Sequence, residues 1–163
     1  MIKYGLLTAE DEWASEYEVY DFLYALVRLL KPKVILETGC YKGGATKRFV
    51  DGCKANGVGE VFTCDTDLAR IEETNSACED WHSLYSGHCD GVFHCKATLN
   101  VDLAFIDSSG DRVAEVAALN LAPGGVVVLH DAKRPQYQAI KNLRPWKAIW
   151  EIDTVQGITV FQS

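Results

Sequence analysis

Residues Val34–Val50 read VILETGCYKGGATKRFV: a short apolar run, one acidic residue, three glycines within six positions, and then a helical pattern. Val34–Leu36 has the composition of a short buried strand, and Gly44 to Asn56 has helical spacing that Asn56-Gly57 brings to an end. A strand that turns through glycines into a helix is the opening unit of a parallel sheet. Such a turn brings backbone close to a ligand, and the helix start adds unpaired N–H groups.

The pattern continues on both sides of this unit. From Glu12 to Leu30, the residues Trp13, Tyr17, Tyr20, Leu23, Val27 and Leu30 form one apolar stripe and predict a helix. Thr8 is placed to cap it, Lys31-Pro32 closes it, and Tyr24 lies off the stripe as its most exposed aromatic residue. Downstream, strands are expected at Val61–Cys64, Val92–His94, Leu103–Ile106 and Val126–Leu129, the last introduced by the turn APGG. Helices are expected at about Asp67–Trp81, Val113–Leu121 and Gln136–Leu143. WKAIWEI and GITVFQ predict a terminal hairpin around Asp153–Gly157. The fold class is therefore α/β: a Rossmann-like, mostly parallel sheet with helices on both faces and a C-terminal antiparallel hairpin. With no repeat or linker, residues 1–163 form one expected domain, a helical segment over 1–32 and the core over 33–163.

Composition narrows the partners. Of the 163 residues 48% are apolar and 24% charged, and the net charge is −7. That balance argues against nucleic acid or an anionic membrane as a partner. Lys133, Arg134, Lys141 and Arg144 are read as a solvated helix face. The chain has no signal-peptide pattern and no apolar run near the roughly 18 residues of a membrane span, so a cytoplasmic location is expected. Its six cysteines contain no C-x-x-C pair and are expected to be free thiols. Cys89 and Cys95, with His82, His88 and His94 nearby, raise a metal question, but their spacing fits no usual zinc pattern.

The glycine turn excludes two common ligands. The dinucleotide fingerprint G-x-G-x-x-G would need glycine where Tyr41 stands, and no G-K-[ST] follows for a nucleotide triphosphate. Glu37, at the mouth of a buried strand, would repel phosphate and suit a ligand that brings hydrogen-bond donors or positive charge. S-adenosylmethionine has that chemistry: an ammonium, a sulfonium, a ribose and an adenine.

VILETGCYKGGAT resembles the first motif of class I S-adenosylmethionine-dependent methyltransferases, especially the small O-methyltransferases of the catechol O-methyltransferase type. Tyr41 is an expected residue in that form. VFTCDTD resembles the end of the second strand, VDLAFID the fourth-strand motif, and LAPGGVVVLHD the fifth-strand motif. Together these motifs span about residues 33–163. The resemblance implies Glu37, Gly39, Tyr41, Gly43, Thr46, Asp65 and Asp107 as cofactor contacts. Thr46 would reach the cofactor carboxylate and Asp65 the ribose hydroxyls. Adenine contacts would come from residues 82–100.

The same resemblance places Asp107 and Asp131 where metal-dependent relatives hold magnesium or another divalent cation. Two departures stand out: Ala132 occupies the position of an amide ligand, and Gly110 that of a basic residue. The PGG…HD pattern is closer to bacterial and phage sugar or natural-product methyltransferases. There His130 would be a metal ligand or general base alongside Asp107 and Asp131. The implied activity is O-methylation of a small-molecule or saccharide hydroxyl. The alternative is a non-catalytic cofactor-binding or interaction module. Only about 30 N-terminal residues remain for acceptor specificity, so the pocket is either shallow and open or completed by a second copy in a homo-oligomer.

Overall fold

A computed structural model describes residues 14–163 of the chain. Thr8 and Trp13 lie outside the described residues. The elements, in chain order, are α1 (Tyr17–Leu30), β1 (Val34–Thr38), α2 (Gly44–Asn56), β2 (Glu60–Asp65) and α3 (Leu68–Ala77). They are followed by β3 (Leu84–His88), α4 (Gly91–Ala97), β4 (Val101–Ile106), α5 (Arg112–Ala118), β5 (Leu121–His130), a 3-10 helix (Pro135–Asn142), β6 (Ala148–Ile152) and β7 (Ile158–Gln162).

The strands form one sheet in the order β3-β2-β1-β4-β5-β7-β6. Strands β1 to β5 pair in parallel, and β7 runs antiparallel between β5 and β6. Strand order reverses between β1 and β4, and the crevice above their C-terminal ends is where such sheets bind ligands.

Alternation along the strands builds the two layers. Ile35, Leu103, Phe105, Val126, Val128 and Val160 face α1 and α2, where they meet Leu23, Val27, Phe49 and Val50. The intervening Leu36, Ala104, Ile106, Val127, Leu129 and Phe161 face the other way, against Cys95, Val116, Tyr137 and Ile140. Phe49 and Phe105 meet edge-on at 6.0 Å and join helix to sheet.

Several boundaries differ from the sequence expectation, each for a local reason. Helix α1 begins after Glu16 rather than at Glu12; Val19, Tyr20, Leu23 and Val27 are its buried stripe, while Tyr17 and Leu30 are exposed and Tyr24 is half-buried. Lys31 ends it in the left-handed conformation, donating its N–H to the Val27 carbonyl. The expected strand at Val92–His94 is helix α4, started by the Asp90 carboxylate accepting the Phe93 N–H. The strand lies earlier, at β3, a half-exposed sheet edge that needs few apolar residues. Helix α5 stops at Ala118 because Leu121 already belongs to β5, and Gln136–Leu143 is replaced by the 3-10 turn.

The basic residues expected as a solvated face are individually paired. Lys133 meets Asp153, Arg134 meets Asp131, and Lys141 meets Glu151. Arg144 donates to the Val116 and Leu119 carbonyls at the end of α5. The six cysteines are free thiols. Among the described residues no helix is long and apolar enough to cross a membrane.

Candidate active site

A cleft of about 500 Å³ opens above the C-terminal ends of β1, β2, β4 and β5. That is within the range of small-molecule sites. Its walls include Gly39, Tyr41, Asp65, Asp107, His130 and Asp131, so six of the residues singled out in the sequence share one cavity.

The glycine turn forms one wall. A Cβ on Gly39 would lie 2.8 Å from the Asp107 carbonyl oxygen and from the Ser108 Cα, and its φ of +82° disfavours any side chain. Gly39 thus lets the end of β1 cross directly against the end of β4. At Gly44 a Cβ would fall 2.5 Å from the Tyr20 hydroxyl, so its absence lets α1 close over the start of α2.

Tyr41, with φ 48°, donates its N–H to Asp65 Oδ2 at 3.1 Å. Its ring lies beneath the Arg70 guanidinium at 4.4 Å. Asp65 Oδ1 accepts the Asp67 N–H at 3.0 Å. The second-strand acid thereby braces the turn while its carboxylate stays on the cleft wall with lone pairs to spare.

Glu37 and Thr46 are placed differently from the expectation. Both are fully buried beneath the turn and, like Gly43, absent from the cleft wall. Thr46 and Thr63 donate their hydroxyls to Glu37 Oε2, so Thr46 faces Glu37 rather than the cleft. Oε1 of Glu37 has no partner among the described residues. Burial pushes this carboxyl up to about 7, with the Asp107 and Asp65 charges adding to the effect and the two hydroxyls opposing it.

The opposite wall is a charge network. His130 Nδ1 lies 2.9 Å from Asp107 Oδ1, and its Nε2 lies 2.7 Å from Glu16 Oε2. Burial disfavours the charged ring, but the two carboxylates outweigh it and push the imidazole up to about 10. Glu16 is buried too, which alone would raise it; the hydrogen bonds from His130 and the Gln156 N–H instead hold it at about 2.

Arg112 completes the network. Its Nε donates to the Ser108 carbonyl at 2.6 Å and one Nη to the His130 carbonyl at 2.8 Å. The other Nη sits 3.1 Å from Asp107 Oδ1 and 3.2 Å from Asp131 Oδ2. Arg134 also meets Asp131 Oδ2, at 3.0 Å, and Ser15 donates its hydroxyl to Asp107 Oδ2 at 2.8 Å. Three anions (Glu16, Asp107, Asp131) thus face three cations (His130, Arg112, Arg134), and the site balances to zero.

This balance bears on the expected metal ligands. Asp107, His130 and Asp131 offer ligand atoms within 4.8 Å of one another, close enough to surround an ion. The Arg112 guanidinium already bridges the two carboxylates, and both His130 nitrogens donate to acids. A divalent cation would add two charges to a buried, balanced set and displace Arg112, so these residues do not fit one. His130 likewise has no nitrogen lone pair free for a metal or for an acceptor proton. A basic residue does reach the cleft from two positions beyond Gly110, at Arg112. Its signal was the run DSSGDR, which reads locally as a loop.

The proton held by His130 makes stability depend on pH. Its contribution is present in full below the unfolded imidazole value of about 6.5 and is lost as pH rises through about 10. The Glu16 contribution is present above the unfolded value near 4.5 and is lost as pH falls through about 2. Urea unfolding should therefore show the largest stability gap between the wild type and His130→Gln at about pH 5–6. The gap should shrink steadily towards pH 9–10; one that widens with pH would contradict the assignment.

The sheet order, the glycine turn and the strand-end acids define an α/β domain with an acid-lined cleft at its switch point. Residues 36–132 match the methyltransferase domain family, and the chain belongs to that family. No match is found among curated proteins. Solved structures of the same fold include the SAH-bound methyltransferase PaMTH1 of Podospora anserina, with TM-score 0.78, 17% identity, and coverage of 92% of this chain and 80% of that one. The O-methyltransferase TomG of Streptomyces achromogenes, in complex with SAM, has TM-score 0.72 and 18% identity over 96% of this chain and 92% of its own. An O-methyltransferase from Bacillus cereus in complex with SAH has TM-score 0.69 and 17% identity over 94% and 84%.

Proposed function

We propose that this enzyme transfers a methyl group from S-adenosylmethionine to a hydroxyl of a small-molecule or saccharide acceptor, without a divalent metal in the cleft. Structural relatives bound to SAM or SAH support the cofactor. So does the cleft itself: Asp65, braced by the Tyr41 and Asp67 N–H groups, keeps further lone pairs on the cleft wall to accept hydrogen bonds from a ribose diol, and Tyr41 and Arg70 form the rim. The cofactor supplies an electrophilic methyl group on a sulfonium.

What the chain must add is alignment of the acceptor and a place for its proton. Asp107, at the end of β4, lines the cleft and is held on both oxygens, by His130 and Arg112 on Oδ1 and by Ser15 on Oδ2. In this reading Asp107 orients the acceptor hydroxyl and accepts its proton, while His130, Glu16 and Arg112 fix the carboxylate.

The observation that carries the choice of oxygen is the charge balance. A site with no net negative charge gives an ammonium-bearing acceptor little attraction, and a neutral hydroxyl fits it better. A panel of hydroxylated and amine acceptors, with product S-adenosylhomocysteine measured, should give turnover on hydroxyls alone. Turnover confined to amines would contradict this reading. Adding magnesium to metal-free buffer should leave the rate unchanged, whereas a rate that requires magnesium would show that Arg112 yields to an ion.

A further inference from the structure

On the far side of β2 from Glu37, three residues that are distant in sequence converge. Cys64 at the end of β2, Cys89 just after β3 and His94 in α4 present two thiols and an imidazole nitrogen within 4.8 Å of one another. Strand register explains the meeting: β2 and β3 pair Cys64 with Gly87 and Asp65 with His88, and the Cys89 N–H then donates to the Asp65 carbonyl at 3.1 Å. The Asp90 cap starts α4 so that His94, one turn on, comes back over the two sulfurs.

His94 supplies a second observation. The residue is more than nine-tenths buried, yet its Nε2 has no hydrogen-bond partner among the described residues. Burial holds the imidazole in its neutral form, with the nearby Phe62 backbone opposing the effect. A buried neutral histidine with an unpartnered ring nitrogen beside two thiols is suited to ligate a metal. An orphaned lone pair in a dry site is otherwise costly.

We propose that Cys64, Cys89 and His94 form a binding site for a thiophilic d10 cation, with zinc(II) its divalent occupant. Two sulfurs and one nitrogen match the ligand preference of zinc and exclude magnesium and calcium, which take oxygen ligands. Tetrahedral zinc with ordinary bond lengths would place these atoms on the order of 3.5–3.8 Å apart, which lies inside the 4.8 Å spread of the cluster. Each thiol gives up its proton to solvent as its sulfur binds the ion, so one zinc releases two protons. The fourth position falls to water on the side of Cys89, which is half-exposed while its two partners are buried.

Such an ion would tie β2, β3 and α4 together beside the cofactor wall. The Cys64 carbonyl accepts the Gly39 and Cys40 N–H groups of the glycine turn, and Asp65 is its neighbour in the chain. The site is independent of the methyl-transfer reading and can be tested without cofactor.

The test is a titration of reduced, metal-free protein with cobalt(II), followed by zinc(II). A thiolate-to-cobalt charge-transfer band should saturate at one equivalent per chain and disappear on adding one equivalent of zinc. Cys89→Ser, at a half-exposed position, should weaken binding at least ~100-fold, the upper end of second-shell effects being a floor for loss of a ligand. Cys53→Ser, remote from the cluster, should titrate as the wild type does. Absence of a saturable band in folded wild-type protein would overturn the proposal, as would a Cys89→Ser protein that binds cobalt unchanged.

Discussion

Arg112→Met is expected to cost the fold about 3–5 kcal/mol at neutral pH, the usual penalty for removing one partner from a buried ion pair. Methionine keeps most of the side-chain volume, so the loss reports on charge and hydrogen bonding rather than on a cavity. Without the guanidinium, Asp107 and Asp131 face each other across a buried gap, and the Ser108 and His130 carbonyls lose their donors. The ends of β4 and β5 and the start of α5 would then no longer be tied. Urea melts at pH 7 should show this loss, and a change of less than about 1 kcal/mol, the level of a surface pair, would contradict the network described here.

The second large effect concerns Asp65. Asp65→Ala should weaken S-adenosylmethionine binding by about 100-fold, close to 3 kcal/mol, because two charge-assisted hydrogen bonds to the ribose are lost. Part of the loss will come through Tyr41, whose N–H the same carboxylate holds at 3.1 Å. Asp65→Asn separates the two contributions, since the amide oxygen can still accept the Tyr41 N–H. An Asn variant intermediate between wild type and Ala would assign the difference to the ribose. Wild-type affinity in the Ala variant would place the cofactor elsewhere.

The chain showed its plan where structure is locally encoded. VILETGCYKGGATKRFV contains a buried strand, a turn that only glycine allows at Gly39, and a helix ended by Gly57, and each of these is decided by neighbours in sequence. The strand-end acids Asp65, Asp107 and Asp131 were placed by resemblance of VFTCDTD, VDLAFID and LAPGGVVVLHD to strand-end motifs, the apolar runs marking the strands themselves. Strand β3 was missed because an edge strand with one half-exposed face lacks the apolar alternation of an inner one.

Arg112 was missed for a different reason. Its partners at His130 and Asp131 are 18 and 19 residues away, and nothing in DSSGDR marks an arginine for burial. The same holds for Glu16, which reaches His130 across 114 positions. Cys89 and Cys95 drew attention through their spacing, but Cys89 meets Cys64 on the neighbouring strand, and Cys95 packs into the core layer beside Val116. Pairings set by strand register cannot be read before the strands are placed.

Isothermal titration calorimetry of the wild-type protein with S-adenosylmethionine, and with its demethylated product, tests the central claim most directly. The account predicts saturable one-to-one binding in magnesium-free buffer, unchanged when magnesium is added. No binding at millimolar cofactor, or binding that appears only with magnesium, would contradict it.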